Sequence, residues 1–185
     1  NRTTANLTQP GQSRKFSFTL ASAKRLLMDV FDNTSSVEWT LTGPLGDVVT
    51  GRAFNDTDAG QMGGNPLMAL QAGAYTLTVR TRNDQTGAYA FRLLDADAAA
   101  TEIVFNDEQL GGLPDSGLGT KVFRFDAQRN QAIGIDVTSF PAGSTTWRVI
   151  GPQGTQVLTP RALRDGGPFI LPETGSYLLL VEGSV

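Results

Sequence analysis

Asn55, Asp56 and Asp58 stand together in the run FNDTDAG. Three oxygen-bearing side chains in one turn-forming stretch point to hard-cation chemistry, because Ca²⁺ takes about six to eight oxygen ligands and needs neither imidazole nor thiolate. The 185-residue chain contains neither histidine nor cysteine. Their absence removes the usual proton carrier near neutral pH, the commonest transition-metal ligand, thiolate nucleophiles, disulfides and structural zinc. No G-x-S-x-G, H-E-x-x-H, Walker or G-x-G-x-x-G pattern occurs. A converging carboxylate pair of the glycosidase kind is the catalytic arrangement left open. The chain is therefore read as not an enzyme, with calcium as the one candidate cofactor. Against calcium, Asn and Asp are also ordinary turn formers, and the matching loop later in the chain keeps only Asp165. Asp84 lies in another loop, and Asp95, Asp97, Asp107 and Glu108 flank the middle of the chain.

The elements that must hold these loops read as strands. Phe16, Phe18 and Leu20 alternate with Lys15, Ser17 and Thr19, and Tyr75, Leu77 and Val79 alternate with Thr76 and Thr78. The same two-residue period runs through Val37, Trp39 and Leu41 and through Tyr89, Phe91 and Leu93, as expected of strands with one buried face. Between them GPLG, NDTDAG, MGGNP and NDQTG carry the residues that reversal of the chain requires. No segment keeps a helical period for three turns.

The pattern is written twice. WTLTGPLG (39–46) returns as WRVIGPQG (147–154), RKFSFTL (14–20) as KVFRFDA (121–127), LLMDV (26–30) as IGIDV (133–137), RAFND (52–56) as RALRD (161–165), and AGAYTLTV (72–79) as TGSYLLLV (174–181). Matches in one order over this length predict an all-β protein of two tandem antiparallel β-sandwich domains, jelly-roll or immunoglobulin-like, related by internal duplication. The expected boundaries are 1–98 and 99–185, joined by a short alanine-rich junction that favours a semi-rigid rod. Trp39 and Trp147 fall on the inward side of their strands, and each Gly-Pro-x-Gly is a turn.

The two copies are out of phase. TEIVFND (101–107) has no clear counterpart before Arg14, and TGAYAFRLLD (86–95) has none after Val185, so the first copy is expected to lack its first strand and the second its last. A longer array is one explanation, and a strand donated by another chain is the other. Leu178 and Leu180 lie opposite Tyr177 and Leu179 where the first copy has Thr76 and Thr78, so that edge is expected to be covered by a partner.

The order F-x-F, a strand ending in Asp-Val, a strand running into G-P-x-G, then A-G-x-Y-T-L-T-V and T-G-x-Y-x-F-x-L resembles the bacterial pre-peptidase C-terminal domain and its relatives. That resemblance covers most of each copy and implies small β-sandwiches attached to secreted proteases, collagenases and giant surface proteins. Where the family commonly has an acidic D-x-D-L-Y strand, this chain has SVEWTL and TTWRVI.

By parity Thr76, Thr78, Arg80 and Arg92 point outward and are expected to lie close together, as a face for polysaccharide or a surface protein. Fifteen basic against eighteen acidic residues give a net charge of −3, which predicts no nucleic-acid partner and no basic run for membranes. No apolar run suits a bilayer span, so no membrane insertion is expected, and any targeting signal would lie outside this stretch. The leading expectation is a non-catalytic module of a larger exported or cell-surface protein, extracellular, acting as spacer, adhesion or assembly unit beside neighbouring domains of the same protein. The alternative is an accessory carbohydrate- or matrix-protein-binding domain attached to a secreted hydrolase.

Overall fold

A computed structural model describes residues 1–57, 61–109, 111–114, 118–139 and 144–183. In chain order its strands are β1 (Thr3–Leu7), β2 (Ser13–Leu20), β3 (Lys24–Val30), β4 (Val37–Gly43), β5 (Gly46–Ala53), β6 (Leu67–Leu70), β7 (Gly73–Thr81), β8 (Gly87–Asp95), β9 (Thr101–Glu102), β10 (Thr120–Ala127), β11 (Ala132–Ile135), β12 (Thr146–Ile150), β13 (Gln156–Ala162), β14 (Gly166–Ile170) and β15 (Gly175–Glu182). A 3-10 turn covers Phe54–Asp56, and one helical turn, α1 (Ala96–Ala99), follows β8 with Asp95 accepting from the Ala98 N–H. The chain is all-β, built from antiparallel sheets in a sandwich arrangement.

In the first half, β1-β8-β3-β6 form one sheet and β2-β7-β4-β5 the other, every neighbouring pair antiparallel. Alternation decides which side chains meet. Tyr75, Leu77 and Val79 turn inward from β7, where Leu77 faces Leu41 and Val79 faces Trp39 across the ladder. The two sheets close on one apolar core containing Trp39, Leu41, Leu77, Val79, Tyr89 and Phe91. Phe16 of β2 meets Phe91 of β8 edge-on at 5.5 Å, a preferred ring geometry. Both tryptophans are sealed, Trp39 at 0% and Trp147 at 1% exposure.

In the second half, β9-β10-β15-β12-β13 form one sheet and β11-β14 a two-stranded one. Aligned strands take corresponding places, with β2, β7, β4 and β5 answering to β10, β15, β12 and β13, and β3 and β6 to β11 and β14. The details repeat too. Trp39 pairs with Arg52 and Trp147 with Arg161, each followed by a register shift. Phe18 stacks on Tyr75 at 5.4 Å and Phe125 on Tyr177 at 5.4 Å. The Tyr75 hydroxyl donates to the Gln71 carbonyl at 2.9 Å, and the Tyr177 hydroxyl to the Glu173 carbonyl at 2.6 Å. Gly175, at φ +148°, backs onto Pro152 so closely that a Cβ would lie 2.8 Å from its ring, and Gly73 backs onto Pro44 in the same way.

The halves differ in one respect that corrects the expected phase. The first half does not lack its first strand: Thr3–Leu7 is β1, paired antiparallel with β8, and Leu7 is fully buried. Of TEIVFND only Thr101–Glu102 is strand, and it runs parallel to β10, on a different edge from the one β1 takes. Five residues with alternate small side chains give β1 little apolar period, so its place depends on β8 rather than on its own pattern. Among the described residues, β8 and β1 have no counterparts in the second half.

Candidate functional site

Of the proposed calcium loop, Asn55 and Asp56 fall among the described residues. Asn55 sits in the 3-10 turn, donating its backbone N–H to the Thr34 carbonyl at 3.2 Å, while its Oδ1 is buried without a hydrogen-bond partner. Asp56 is exposed, and Asp58 lies outside the described residues. Among the described residues no group of three or more carboxylate, histidine or cysteine side chains could hold a metal. Beside the loop, Asp32, Asn33, Thr34, Ser35, Ser36 and Ala88 line an open groove of about 460 Å³, which offers one carboxylate and several hydroxyls. Asp165 accepts from the Val137 N–H at 2.9 Å and so acts as a loop brace.

The outward face splits between two sheets. Thr76, Thr78 and Arg80 share β7, where they neighbour Ser17, Lys15 and Ser13 of β2 and Thr42, Thr40 and Glu38 of β4. The result is a hydroxyl-rich surface, with Arg80 and Arg82 both paired to Glu38. Arg92 is not part of it. It lies on β8 in the opposite sheet, its side chain 17% exposed, paired with the buried Asp29. Parity placed Arg92 outward correctly, but outward there is the second half rather than solvent.

That contact belongs to a broad junction. Leu178 and Leu180, expected to meet another chain, are 1% and 0% exposed and cluster with Val122, Ile150, Ala96, Leu67 and Leu94. The first half of the same chain covers them, because the outer face of β10-β15-β12 lies against the outer side of β3-β8-β6. Three polar pins surround this apolar patch. Asp29 accepts from the Thr120 N–H at 3.2 Å and its hydroxyl at 3.0 Å, as well as from Arg92. Arg25 donates to Asp97 at 2.9 Å, and Arg124 reaches the Asp97 carbonyl at 3.0 Å. Arg148, wholly buried, pairs with the equally buried Glu182 at 2.7 Å and donates to the carbonyls of Met62 at 2.9 Å and Gly64 at 2.6 Å. Alongside, Asn65 donates to the Gly154 carbonyl at 2.6 Å and Gln156 to that of Gly63 at 3.0 Å.

The pins titrate differently. Burial pushes the Asp29 carboxyl above its ordinary 3.8, against the pull of Arg92 and of the Thr120 hydrogen bonds. The hydrogen bond from Arg25 holds the Asp97 carboxyl below that value, helped by the charges of Arg25 and Arg124 and opposed by partial burial. Of these pin residues the sequence singled out Arg92, as part of a ligand face, and Asp97, among the acidic residues weighed for calcium; Asp29, Arg25, Arg124, Arg148 and Glu182 were missed. The available signal was a set of aligned positions that are polar in the first half and apolar in the second: Lys15 against Val122, Thr42 against Ile150, Thr76 against Leu178 and Thr78 against Leu180.

No protein-family model matches the chain, and no curated protein matches it significantly. Among solved structures it is similar to the CUB1-EGF-CUB2 domain of human MASP-1/3, at 12% sequence identity and a TM-score of 0.31, over 100% of this chain and 94% of that one. A likeness at that level carries no functional argument. Among the described residues no helix is long and apolar enough to cross a membrane.

Proposed function

We propose that the chain is a non-catalytic pair of β-sandwiches, duplicated from one unit, that serves as a spacer and assembly module of a larger exported or cell-surface protein. The observation that carries this reading is the junction. Arg148 is fixed by Glu182 on its own half and by two loop carbonyls of the other, so the two halves transmit orientation and load as one body. Duplication is supported by the repeated Tyr-to-carbonyl bonds and Gly-against-Pro packing. The resemblance to pre-peptidase C-terminal domains fits the same setting. Since the chain has no cysteine, introduced cysteines are unique labels. Spin labels at Thr19→Cys and Arg129→Cys, both exposed positions, are expected to give one narrow distance distribution by pulsed dipolar spectroscopy. A broad distribution would remove the spacer reading.

A second reading is favoured by the hydroxyl-rich face of β2, β7 and β4. Partly exposed Ser17, Thr40, Thr42, Thr76 and Thr78 on neighbouring strands form a surface able to hydrogen-bond polysaccharide, as an accessory domain of a secreted hydrolase would. A glycan array decides it: binding abolished by Thr76→Val with Thr78→Val supports the accessory role, and a blank array removes it.

A further inference from the structure

Sulfur enters this chain only through Met28, Met62 and Met68. Met28 and Met68 lie in the first core, at 3% and 9% exposure. Met62 is partly exposed, in the stretch leading to β6. It is held from two directions. Its Sδ accepts from Arg52 Nη1 at 3.7 Å, and its carbonyl accepts from the buried Arg148 Nη1 at 2.9 Å. Arg52 belongs to β5 of the first half, with its guanidinium 5.5 Å from the centre of the Trp39 ring, whereas Arg148 belongs to β12 of the second. One half therefore holds the side chain of Met62 and the other its backbone. The residues after it share the second hold, through the Gly63 carbonyl to Gln156, the Gly64 carbonyl to Arg148 and the Asn65 side chain to Gly154. Arg161, which aligns with Arg52, lies over the Phe169 ring at 5.0 Å, so a ring stands there in place of the sulfur.

A thioether is a weak acceptor, so the Arg52 contact is a loose one. Methionine sulfoxide is polar and carries an oxygen acceptor, and hydrogen bonds from a guanidinium to oxygen are shorter and about twice as strong as neutral ones. We propose that Met62 is an oxidative modification site: a hydroperoxide converts it to the sulfoxide, and Arg52 binds the new oxygen. In that step a lone pair of the Met62 sulfur attacks one peroxide oxygen and the O–O bond breaks. The departing oxygen takes up the proton left on the transferred one, so hydrogen peroxide yields one sulfoxide and one water. Sulfur is oxidised by two electrons and the peroxide reduced by two. Arg52 keeps its charge throughout, because a guanidinium does not deprotonate in proteins. Oxidation then tightens the first half's hold on a loop that Arg148 already holds from the second. Burial keeps Met28 and Met68 from the oxidant meanwhile, and a thiol-driven sulfoxide reductase restores Met62. This chemistry is independent of whether the chain serves as a spacer or binds polysaccharide.

The test treats the intact chain with hydrogen peroxide, following each methionine by peptide mass mapping and residues 62–65 by amide hydrogen exchange. Met62 is expected to gain one oxygen about ten-fold faster than Met28 or Met68, or more. Exchange at residues 62–65 is expected to slow several-fold once it has done so. In Arg52→Ala the same oxidation is expected to quicken exchange there, and Arg52→Lys, which keeps a charged donor, to recover part of the slowing. Met62→Gln, whose amide oxygen stands in for that of the sulfoxide, is expected to slow exchange with no oxidant present. It and the unaltered chain decide the matter if Arg52→Ala folds poorly. Comparable oxidation of all three methionines, or unchanged or faster exchange at residues 62–65 of the oxidised chain, would overturn the proposal. So would slowing that persists in Arg52→Ala, which would assign the sulfoxide oxygen to a different donor.

Discussion

Arg148 is the residue on which the junction turns. A guanidinium and a carboxylate removed from water together lose hydration worth several kcal/mol each, and only good geometry and additional hydrogen bonds offset that loss. Here the offset includes the Met62, Gly64 and Gln156 oxygens. Arg148→Ala leaves Glu182 charged in a dry site, so it is expected to destabilise the chain by about 3–5 kcal/mol. The double change Arg148→Met with Glu182→Leu removes both charges and is expected to recover most of that loss, since apolar groups of similar volume commonly replace buried pairs at little cost. Urea unfolding of the two variants checks the contrast. Equal destabilisation by both would mean that the carbonyl contacts of Arg148, rather than its charge pair, hold the loop.

Elements reveal what local pattern can and cannot encode. Turning Leu178 and Leu180 into threonine, as at Thr76 and Thr78 in the first half, keeps β15 strand-competent but removes its apolar outer face. Each buried leucine lost to a smaller side chain is expected to cost about 2–5 kcal/mol, and the spin-label distance distribution should broaden in step. The sandwich class, the inward tryptophans and the Gly-Pro-x-Gly turns were legible in the sequence, because side-chain parity is a property of neighbouring residues. What parity cannot say is whether an outward residue meets water or another sheet. Arg92 was read as ligand-facing and Leu178 as partner-facing for that reason, yet both face the other half of their own chain. β1 was missed because Ala5 and Leu7 are too small an apolar signal to mark a strand that β8 recruits. Asn and Asp shape turns whether or not an ion is there, so the residue types of FNDTDAG alone do not separate a calcium loop from a solvated turn.

At the scale of the whole molecule, Asp29 and Asp97, two of the three junction carboxylates, respond to acid in opposite senses. The folded-state value of Asp97 lies below its ordinary 3.8, so its contribution is present above that pH and is lost as pH falls towards the folded value. Asp29 is raised above 3.8, so the folded state holds its proton more tightly and that contribution declines as pH rises through the folded value. Asp97→Asn is therefore expected to flatten the acid-side fall in stability, and Asp29→Asn to flatten the opposing change at higher pH. Thermal melts across about pH 3–6 measure both. The last consequence comes from the unequal outer faces. A body stacking on the first half as the first half stacks on the second would have to strip water from the Lys15 ammonium and from the hydroxyls of Ser17, Thr40, Thr76 and Thr78. Each hydroxyl left unsatisfied costs about 1–3 kcal/mol. Contact of that kind is therefore disfavoured on the outer face of β2-β7-β4 and favoured on that of β10-β15-β12, so the two like-built faces are not interchangeable.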